Sequence, residues 1–227
     1  MGSGATQYVE TVDSVMLYIV GISVVLLIGI TAVMIYFVVK YNRKKGHKPE
    51  NIHGNWLLET IWIAIPTVLV MTMFYYSYIG YKDLRNFPED GLEVNVTARM
   101  WGWTFEYENG KQTDSLYVPV NQPVMLFLES VDVNHSFYVP AFRIKEDVIA
   151  GRVNKLHFTS DMVGDYDIAC AEYCGLKHSM MYSKVKVMEV ADFDKWYAET
   201  DATTDETNIE TNPVDSTAAE IKPTGEM

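Results

Sequence analysis

Two long apolar runs open the chain, and a different pattern follows them. Residues 15–39 and 60–81 contain no charged side chain. Because about 20 apolar residues span the hydrocarbon core of a bilayer, both runs predict transmembrane helices. From Leu92 onward, apolar and polar residues alternate in short stretches, which is the period of half-buried β-strands. The pattern therefore predicts a two-helix transmembrane hairpin followed by an all-β domain.

The alternation in the β region changes phase once. Val94 and Val96 occupy even-numbered positions, whereas Trp103 and Phe105 occupy odd-numbered positions. This change predicts a bulge near Met100. The dipeptide at 109–110 is Asn-Gly, the strongest short signal for a β-hairpin. Five further strands are predicted by the stretches PVMLFLES, HSFYVP, NKLHFTS, DYDIAC and SKVKVMEV. Short strands separated by turns favour an antiparallel sandwich or barrel of about a hundred residues.

These patterns divide the chain into seven segments. We expect a short exported N-terminus at 1–14, membrane helices at 15–39 and 60–81, a basic cytoplasmic loop at 40–59, a linker at 82–91, the β domain at 92–196 and an acidic disordered tail at 197–227. The tail has few apolar residues and no period. A cleaved signal peptide is the alternative for the first helix. Its apolar run is too long for that, and Glu10 and Asp13 precede it where a signal peptide has Lys or Arg.

Charge predicts the orientation of the hairpin. The loop between the two helices carries five basic residues close to the membrane: Lys40, Arg43, Lys44, Lys45 and Lys48. The positive-inside rule places this loop in the cytoplasm, so both termini and the β domain are expected on the outer side. The net charge of the chain is −12, and the β domain and tail carry its acidic excess. Such a surface repels nucleic acid and attracts a basic partner, although it is also typical of a surface that is merely kept soluble.

Both cysteines of the chain lie in the stretch CAEYCGLKHSMM, residues 170–181. A disulfide between Cys170 and Cys174 would close a small loop, stabilise little, and leave His178 and Met181 without a role. Zinc could bind the two thiolates and the imidazoles of His178 and His135, but a thioether is not a zinc ligand. Thiolate, imidazole and a weak Met are the ligands of electron-transfer copper sites. The motif therefore favours copper, and the second cysteine is what a two-copper centre requires.

The motif C-x-E-x-C-x-x-x-H-x-x-M at 170–181, together with DVNHSFYVPAFRIKEDVIAGRVN at 132–154, resembles subunit II of the haem–copper cytochrome c oxidases. The resemblance runs from the first membrane helix to about Tyr197. It implies a cupredoxin-like Greek-key sandwich or barrel that holds a binuclear copper A centre. The implied copper ligands are the side chains of His135, Cys170, Cys174, His178 and Met181 and the backbone carbonyl of Glu172.

The resemblance also implies how these ligands share the metals. The two cysteines bridge the copper ions, each histidine binds one ion, and Met181 and the Glu172 carbonyl are weak ligands of different ions. The side chain of Glu172 is implied to reach a magnesium site at the boundary with subunit I, which suits a hard cation.

Four residues outside the motif are assigned by the same resemblance. Trp101 matches the residue where electrons enter from cytochrome c, although a strand tryptophan is more often a core or interface residue. Glu106 and Asp132 match acidic positions of the docking face for cytochrome c, and their alternative is ordinary surface carboxylates. Glu59 matches the entrance of a proton path into subunit I, and its alternative is a polar flank at the membrane edge.

The resemblance predicts a subunit through which electrons enter a respiratory oxidase. Copper A accepts electrons from cytochrome c and passes them to haem in subunit I, where oxygen reduction is coupled to proton pumping. The expected partners are subunits I and III, cytochrome c and membrane lipid, in a bacterial cytoplasmic membrane. A quinol oxidase relative is disfavoured because it lacks the copper ligands that are present here. The remaining alternative is a membrane-tethered copper electron carrier or copper-delivery protein.

Overall fold

The computed structural model describes residues 5–46 and 53–199. Two long helices come first, α1 at Val9–Lys40 and α2 at Trp56–Leu84, and each contains one of the predicted apolar spans. Both are long and apolar enough to cross a membrane. At 1.5 Å per residue they are roughly 48 and 44 Å long, so their ends extend beyond a hydrocarbon core of about 30 Å.

Local interactions explain where α2 begins and how it meets α1. The side chain of Asn55 accepts hydrogen bonds from the backbone N–H groups of Leu57 and Leu58, both at 3.1 Å, and so caps the first turn. Near the middle of α2, the hydroxyls of Tyr18 and Thr72 share a hydrogen bond of 2.7 Å. This bond joins the two helices within their apolar segments, where water offers no competing partner.

The β domain forms two five-stranded sheets within the described residues. Its strands are β1 Leu92–Arg99, β2 Gly102–Tyr107, β3 Gln112–Thr113, β4 Leu116–Pro119, β5 Pro123–Ser130, β6 His135–Val139, β7 Ile144–Val148, β8 Asn154–Thr159, β9 Gly164–Cys170 and β10 Tyr182–Met188. One sheet has the order β3-β2-β1-β5-β8 and the other β4-β10-β9-β6-β7. The β1–β5 and β4–β10 pairs are parallel, so the sheets are mixed and not wholly antiparallel as predicted.

The predicted fold class, a membrane hairpin followed by a cupredoxin-like β domain, is confirmed. Aromatic and aliphatic side chains from both sheets fill the interior, and Phe105, Phe137, Phe142, Phe158 and Ile168 are fully buried. Burying each such side chain stabilises the fold by about 1.5–3 kcal/mol relative to exposure. The five strands that the sequence pattern predicted after the Asn-Gly hairpin correspond to β5, β6, β8, β9 and β10.

The predicted bulge near Met100 is wrong, because the chain reverses there. Arg99 pairs with Gly102, so Met100 and Trp101 form the two-residue turn between β1 and β2. Val96 lies opposite Phe105, and residues opposite each other in an antiparallel pair point to the same face. The change of parity therefore results from the two-residue turn of a hairpin and not from a bulge. The second hairpin, at 109–110, is confirmed between β2 and β3.

Residues 5–8, which precede α1, pack on the β domain, and we call them the N-terminal strap. Thr6 forms an antiparallel bridge with Ser160. The Thr6 hydroxyl donates to the carbonyl of Phe142 at 3.0 Å, and the Ser160 hydroxyl donates to the carbonyl of Ala5 at 2.8 Å. The strap thus adds a second, hydrogen-bonded connection between the membrane hairpin and the β domain, in addition to the covalent 85–91 segment.

Three further contacts fix this connection. The Tyr8 hydroxyl lies 3.1 Å from the His157 ring nitrogens, and His157 Nε2 lies 3.3 Å from the backbone carbonyl of Asp83 at the end of α2. Asp13 in α1 forms an ion pair of 2.7 Å with Arg143 of the β domain. The β domain is therefore held at the ends of both helices.

A short helix, α3 at Val190–Ala198, closes the described part of the chain. Trp196 stacks on Tyr117 with ring centroids 4.4 Å apart, and Lys111 donates to the carbonyl of Trp196 at 2.7 Å. These contacts hold α3 against Tyr117 of the second sheet and against the β2–β3 turn of the first. An acidic disordered tail was predicted at 197–227, and its residues from 200 onward lie outside the described part of the chain.

Candidate metal centre

The predicted copper ligands come from two neighbouring strands and the loop that follows them. His135 is the first residue of β6 and Cys170 is the last residue of β9, and these strands pair with Phe137 opposite Cys170. The loop from 171 to 181 then supplies Cys174, His178 and Met181. The backbone N–H of Cys170 donates to the carbonyl of Met181 at 3.1 Å, so the two ends of the loop meet. This closure brings residues eleven positions apart to one point.

The two cysteines are free thiols that lie beside each other. Their sulfur atoms are 3.7 Å apart, whereas a disulfide bond measures about 2.05 Å. Two donors bound at about 2.0–2.3 Å to one tetrahedral ion lie roughly 3.3–3.8 Å apart. The spacing of the sulfurs is therefore that of two ligands of one metal ion, and not that of a disulfide.

Each thiol has one imidazole beside it. Nδ1 of His135 lies 3.7 Å from the Cys170 sulfur, and Nδ1 of His178 lies 3.6 Å from the Cys174 sulfur. The donor atoms of His135, Cys170 and Cys174 all lie within 4.8 Å of one another. The result is a cluster of two sulfurs and two nitrogens with the spacing of metal ligands.

Two weaker donors complete the cluster. Sδ of Met181 lies 3.8 Å from the Cys174 sulfur, and the carbonyl oxygen of Glu172 lies 3.3 Å from the Cys170 sulfur. Six donors are more than one tetrahedral ion takes, and a thioether and a carbonyl are not ligands that structural zinc selects. They are the weak ligands found beside thiolate and imidazole at electron-transfer copper sites.

The cluster is shielded from water. His135 and Met181 are completely buried, Cys174 is nearly so, and His178 is half-buried. Burial, together with the neighbouring Cys170 sulfur, raises the pKa of the Cys174 thiol to about 11. Because metal binding requires thiolates, an incoming ion has to displace these protons.

Asp132 orients the buried histidine. Its Oδ1 lies 2.9 Å from Nε2 of His135, and it also accepts hydrogen bonds from the backbone N–H groups of Met100 at 2.7 Å and Val133 at 2.6 Å. With Nε2 bonded to a carboxylate, the lone pair of Nδ1 is left facing Cys170. Burial of Asp132 opposes its ionisation, but these hydrogen bonds outweigh burial and lower its pKa to about 2. The sequence reasoning missed this role, although the spacing of three residues between the carboxylate and the histidine is a signal for it.

Trp101 covers the loop beside the cluster. A Cβ at Gly175, the residue after Cys174, would lie 3.4 Å from Cζ2 and 3.5 Å from Nε1 of the Trp101 indole. The ring is half-buried, and Nζ of Lys177 lies 5.8 Å from its centroid. On the other side of the cluster, the buried Trp103 packs edge-on against His135 with centroids 6.3 Å apart. One tryptophan thus lies beside the loop and is partly exposed, and the other lies in the core.

The loop itself presents apolar side chains to solvent. Leu176 is 88% exposed, Tyr173 76% and Met180 73%, and the side chain of Glu172 is also exposed. We call these four residues the loop face. Contiguous exposed apolar groups of this kind mark sites of protein contact. The same loop therefore turns its donor atoms inward and presents three apolar side chains, the Glu172 carboxylate and the Lys177 ammonium group to solvent.

Two predicted residues lie away from the cluster. Glu106 pairs with Gln112 at the far end of β2, five residues from Trp101, which corresponds to roughly 17 Å of strand. Glu59 lies in the first turn of α2, at the opposite end of that helix from the β domain, and its carboxylate accepts a hydrogen bond of 3.4 Å from the backbone N–H of Asn55. Their predicted roles in docking and proton uptake stay predictions.

Comparison with known proteins identifies the family. Residues 72–188 match the model for the periplasmic domain of cytochrome c oxidase subunit II, and residues 1–79 match the model for its transmembrane domain. The subunit 2 of Synechocystis is 29% identical over 87% of this chain and 75% of its own length. That of Alkalihalophilus pseudofirmus is 34% identical over 78% of this chain, which spans 56% of that relative.

A solved structure is also similar. The periplasmic domain of subunit II of cytochrome oxidase from Bradyrhizobium japonicum is 30% identical, covers 48% of this chain and 92% of its own, and superimposes with a TM-score of 0.46. The two family models together cover the membrane hairpin and the β domain up to Met188. With its two apolar helices, the chain is an integral membrane protein. It belongs to the cytochrome c oxidase subunit II family.

Proposed function

We propose that this chain is the subunit through which electrons enter a haem–copper oxidase, and that residues 135 and 170–181 hold a binuclear copper A centre. One observation carries the proposal. Two free, buried thiols lie 3.7 Å apart, and each has an imidazole and a weaker donor beside it. Two copper ions would use all six donors, whereas a single tetrahedral ion would leave donors unused.

The surrounding residues suit repeated electron transfer. Bound at these ligands, copper A supplies a one-electron redox couple. Asp132 holds the ring of His135 in one orientation, and the hydrogen bond between Cys170 and Met181 closes the loop. Burial of the cluster keeps water from reorganising around it, and the sheet beneath it limits movement of the ligands. The chain itself breaks no substrate bond in this proposal.

Trp101 is the proposed point where electrons arrive from cytochrome c. Its indole lies against the residue after Cys174 and is partly exposed, so it links the solvent side to the loop. We also retain Asp132 and Glu106 as contributors of negative charge to docking of a basic cytochrome. The charge of Asp132 is secured by its low pKa, and the same carboxylate orients His135.

The loop face is the proposed contact with subunit I, which receives the electrons on its haem. The exposed carboxylate of Glu172 is then available for a magnesium ion at that boundary, as a hard cation prefers. Subunit III is a further proposed partner, and Glu59 remains the proposed entrance of a proton path into subunit I. The basic loop after α1 is proposed to lie in the cytoplasm, with the β domain on the outer side of a bacterial cytoplasmic membrane.

Metal analysis and electron paramagnetic resonance test the metal centre. The copper-loaded chain is expected to hold two copper ions and no zinc, with the multiline signal of one electron shared between two copper nuclei. Cys174→Ser is expected to abolish this signal, because a shared electron needs both thiolate bridges. Met180→Leu is the control, since Met180 is 73% exposed on the same loop. One copper ion per chain, or zinc in the functional protein, contradicts the proposal.

Co-purification tests the role in an oxidase. A subunit is expected to remain with haem-containing partner chains in mild detergent, whereas a copper carrier or delivery protein is expected to purify alone. Loss of the partner chains in a Leu176→Asp variant, with the copper signal preserved, would support the loop face as the contact. Leu176 is 88% exposed, so this substitution leaves the core untouched.

A further inference from the structure

The turn that carries Trp101 lies within a group of exposed apolar side chains. Met100 is 45% exposed, Val131 65% and Val133 39%, and the indole of Trp101 is half-buried. The backbone N–H of Met100 donates to the carboxylate of Asp132 at 2.7 Å, which joins the turn to the segment that carries the two valines. We call Met100, Trp101, Val131 and Val133 the tryptophan patch. Because transient contacts between electron-transfer proteins bury little surface, a patch of this size suits the exposed haem edge of a donor.

A lysine borders the tryptophan patch. The Lys177 side chain is exposed, and its Nζ lies 5.8 Å from the centroid of the Trp101 indole. Within the described part of the chain, no carboxylate oxygen lies within 4 Å of this ammonium group. Lys177 therefore presents an unpaired positive charge at the place where the proposed donor makes contact.

The carboxylate of Asp132 only partly offsets this charge. Its side chain is 23% exposed, and its oxygens accept hydrogen bonds from the N–H groups of Met100 and Val133 and from the Ser130 hydroxyl, and contact the His135 ring. The dipoles of these donors are directed at the carboxylate and weaken its potential outside the protein. Asp132 thus acts mainly on the histidine beneath the patch.

Two further charges near the turn offset each other. Arg99 directly precedes the turn and is exposed on the outer face of the first sheet. Glu129 is exposed on the same face of the neighbouring strand β5, opposite Thr97, so it is a diagonal neighbour of Arg99 at roughly 7–8 Å. Opposite charges at this spacing reduce each other's potential, whereas Lys177 has no such neighbour in its immediate surroundings.

Attraction at a distance and contact at Trp101 therefore differ in sign. The acidic excess of the β domain attracts positive charge at long range, and Glu106 lies roughly 17 Å along β2 from Trp101. A lysine at the haem edge of a donor would instead come close to Lys177 once that edge reached the indole. This separation is similar to the screening length of about 8 Å at physiological salt, so ions remove only part of the repulsion.

We propose that Lys177 determines which donors can transfer electrons at Trp101, an inference that rests on the proposed arrival of electrons there. The donor that fits has a haem edge surrounded by apolar and uncharged side chains, with a carboxylate placed to meet Lys177. Any lysines that it uses for docking lie further out, toward Glu106. A donor whose haem edge is ringed by lysines meets repulsion at the point of contact, and such a repulsive element is a general means of specificity.

The test compares two forms of one cytochrome c. The first form carries lysines around its haem edge, and the second is the same protein after acetylation of those lysines, which removes their charge. Each form reduces the copper centre of the oxidase complex containing the full chain in stopped-flow experiments at about 0.15 M salt. The measured quantity is the ratio of the second-order rate constant of the lysine form to that of the acetylated form. A change in the reduction potential of copper affects both rates alike, so the ratio reports the docking contact.

Lys177→Gln is expected to raise this ratio by about fivefold, because it removes the repulsion between Lys177 and the lysines of the donor. Lys177→Glu is expected to raise the ratio further, since attraction then replaces repulsion. Lys177→Arg keeps the charge and is expected to leave the ratio as it is in the unchanged chain.

Lys195→Gln is the matched control for net charge. Lys195 is 76% exposed on α3, and the adjoining Trp196 packs against Tyr107 with ring centroids 5.1 Å apart. Tyr107 ends β2 roughly 20 Å along the strand from Trp101, which is more than two screening lengths. Removal of this equally exposed positive charge is expected to leave the ratio unchanged.

Several results overturn the proposal. An equal rise of the ratio in Lys177→Gln and Lys195→Gln would mean that net charge matters and the position beside Trp101 does not. A rise in Lys177→Arg would mean that the charge of Lys177 is not the cause. An unchanged ratio in Lys177→Gln, while both forms of the cytochrome reduce copper, overturns this inference and leaves the proposed electron transfer intact. Failure of both forms to reduce copper in the unchanged chain would instead contradict the proposed function, and this inference with it.

Discussion

Gly175 occupies the position in the metal-binding loop where the backbone requires glycine. Its φ is +116°, beyond the left-handed helical region near +57° that other residues occasionally occupy. It directly follows Cys174, and a Cβ there would lie 3.4 Å from the indole of Trp101. Gly175→Ala therefore tests whether the backbone of the loop determines where the donor atoms lie.

The expected cost follows from two opposing effects. Holding a non-glycine residue in such a conformation costs on the order of 1–3 kcal/mol. Alanine also restricts the unfolded chain, which offsets about 0.4–1 kcal/mol of that cost. The contact with Trp101 is at the close end of ordinary van der Waals distance and adds little. We therefore expect Gly175→Ala to lower the free energy of unfolding by about 1–2 kcal/mol.

Substitutions at two other glycines distinguish the effect of backbone strain from that of the contact with Trp101. Gly110 has a φ of +83° in the turn after β2, with no atom within 4 Å of an added Cβ, so Gly110→Ala carries backbone strain without a contact. Gly102 has equally open space and no positive φ, so Gly102→Ala carries neither. We expect losses of about 1 kcal/mol for Gly110→Ala and no more than about 0.5 kcal/mol for Gly102→Ala.

The assay is chemical denaturation of the full-length chain in detergent, followed by tryptophan fluorescence. A second measurement, the paramagnetic resonance signal of the copper-loaded chain, is expected to change in Gly175→Ala alone, because only that glycine adjoins a ligand. The reasoning is refuted if Gly175→Ala is as stable as Gly102→Ala. It is also refuted if Gly110→Ala alters the copper signal as much as Gly175→Ala does.

Three further predictions concern the cluster and its surroundings. Met181→Leu is expected to retain copper but to shift its reduction potential, measured by redox titration, because a weak thioether tunes such a site. Trp101→Phe is expected to leave the salt dependence of cytochrome c binding unchanged but to slow reduction of copper at saturating donor in stopped-flow experiments. Normal transfer at saturation removes Trp101 from the path. The metal-free chain is expected to lose stability as pH falls from about 4 to about 2, because the pKa of Asp132 is lowered to about 2 in the fold. Asp132→Asn is expected to reduce that loss in urea titrations at several pH values.

The sequence pattern predicted those parts of the fold that depend on local periodicity. The two apolar runs and the strands β5, β6, β8, β9 and β10 each have a period that one segment shows by itself. The turn at Met100 could not be identified in this way, because a bulge and a two-residue hairpin both exchange the parity of the buried positions. Strand β7, Ile144–Val148, was missed because three adjoining charged residues interrupt its apolar pattern.

The candidate site likewise combines residues that a local sequence pattern predicts with residues that it does not. The motif at 170–181 places four side chains within twelve residues, three of them on one short loop, so spacing alone could suggest them as ligands. The contact of Asp132 with the N–H of Met100 joins the β5–β6 connection to the β1–β2 turn, and no local pattern shows it. The strap at residues 5–8 was missed for the same reason, since its partners Phe142 and Ser160 lie more than a hundred positions away.

These long-range contacts determine the relative positions of the donor atoms. His135 and Cys170 begin and end paired strands, so their positions are determined by the sheet and not by the loop. Asp132 connects His135 to the turn that carries Trp101, and Trp101 in turn lies against Gly175 of the loop. A closed circuit of contacts thus surrounds the donors. Because these residues contact one another, none of them can move without displacing its neighbours. The arrangement therefore resists the small ligand displacements that would otherwise accompany each change in the charge of the metal centre.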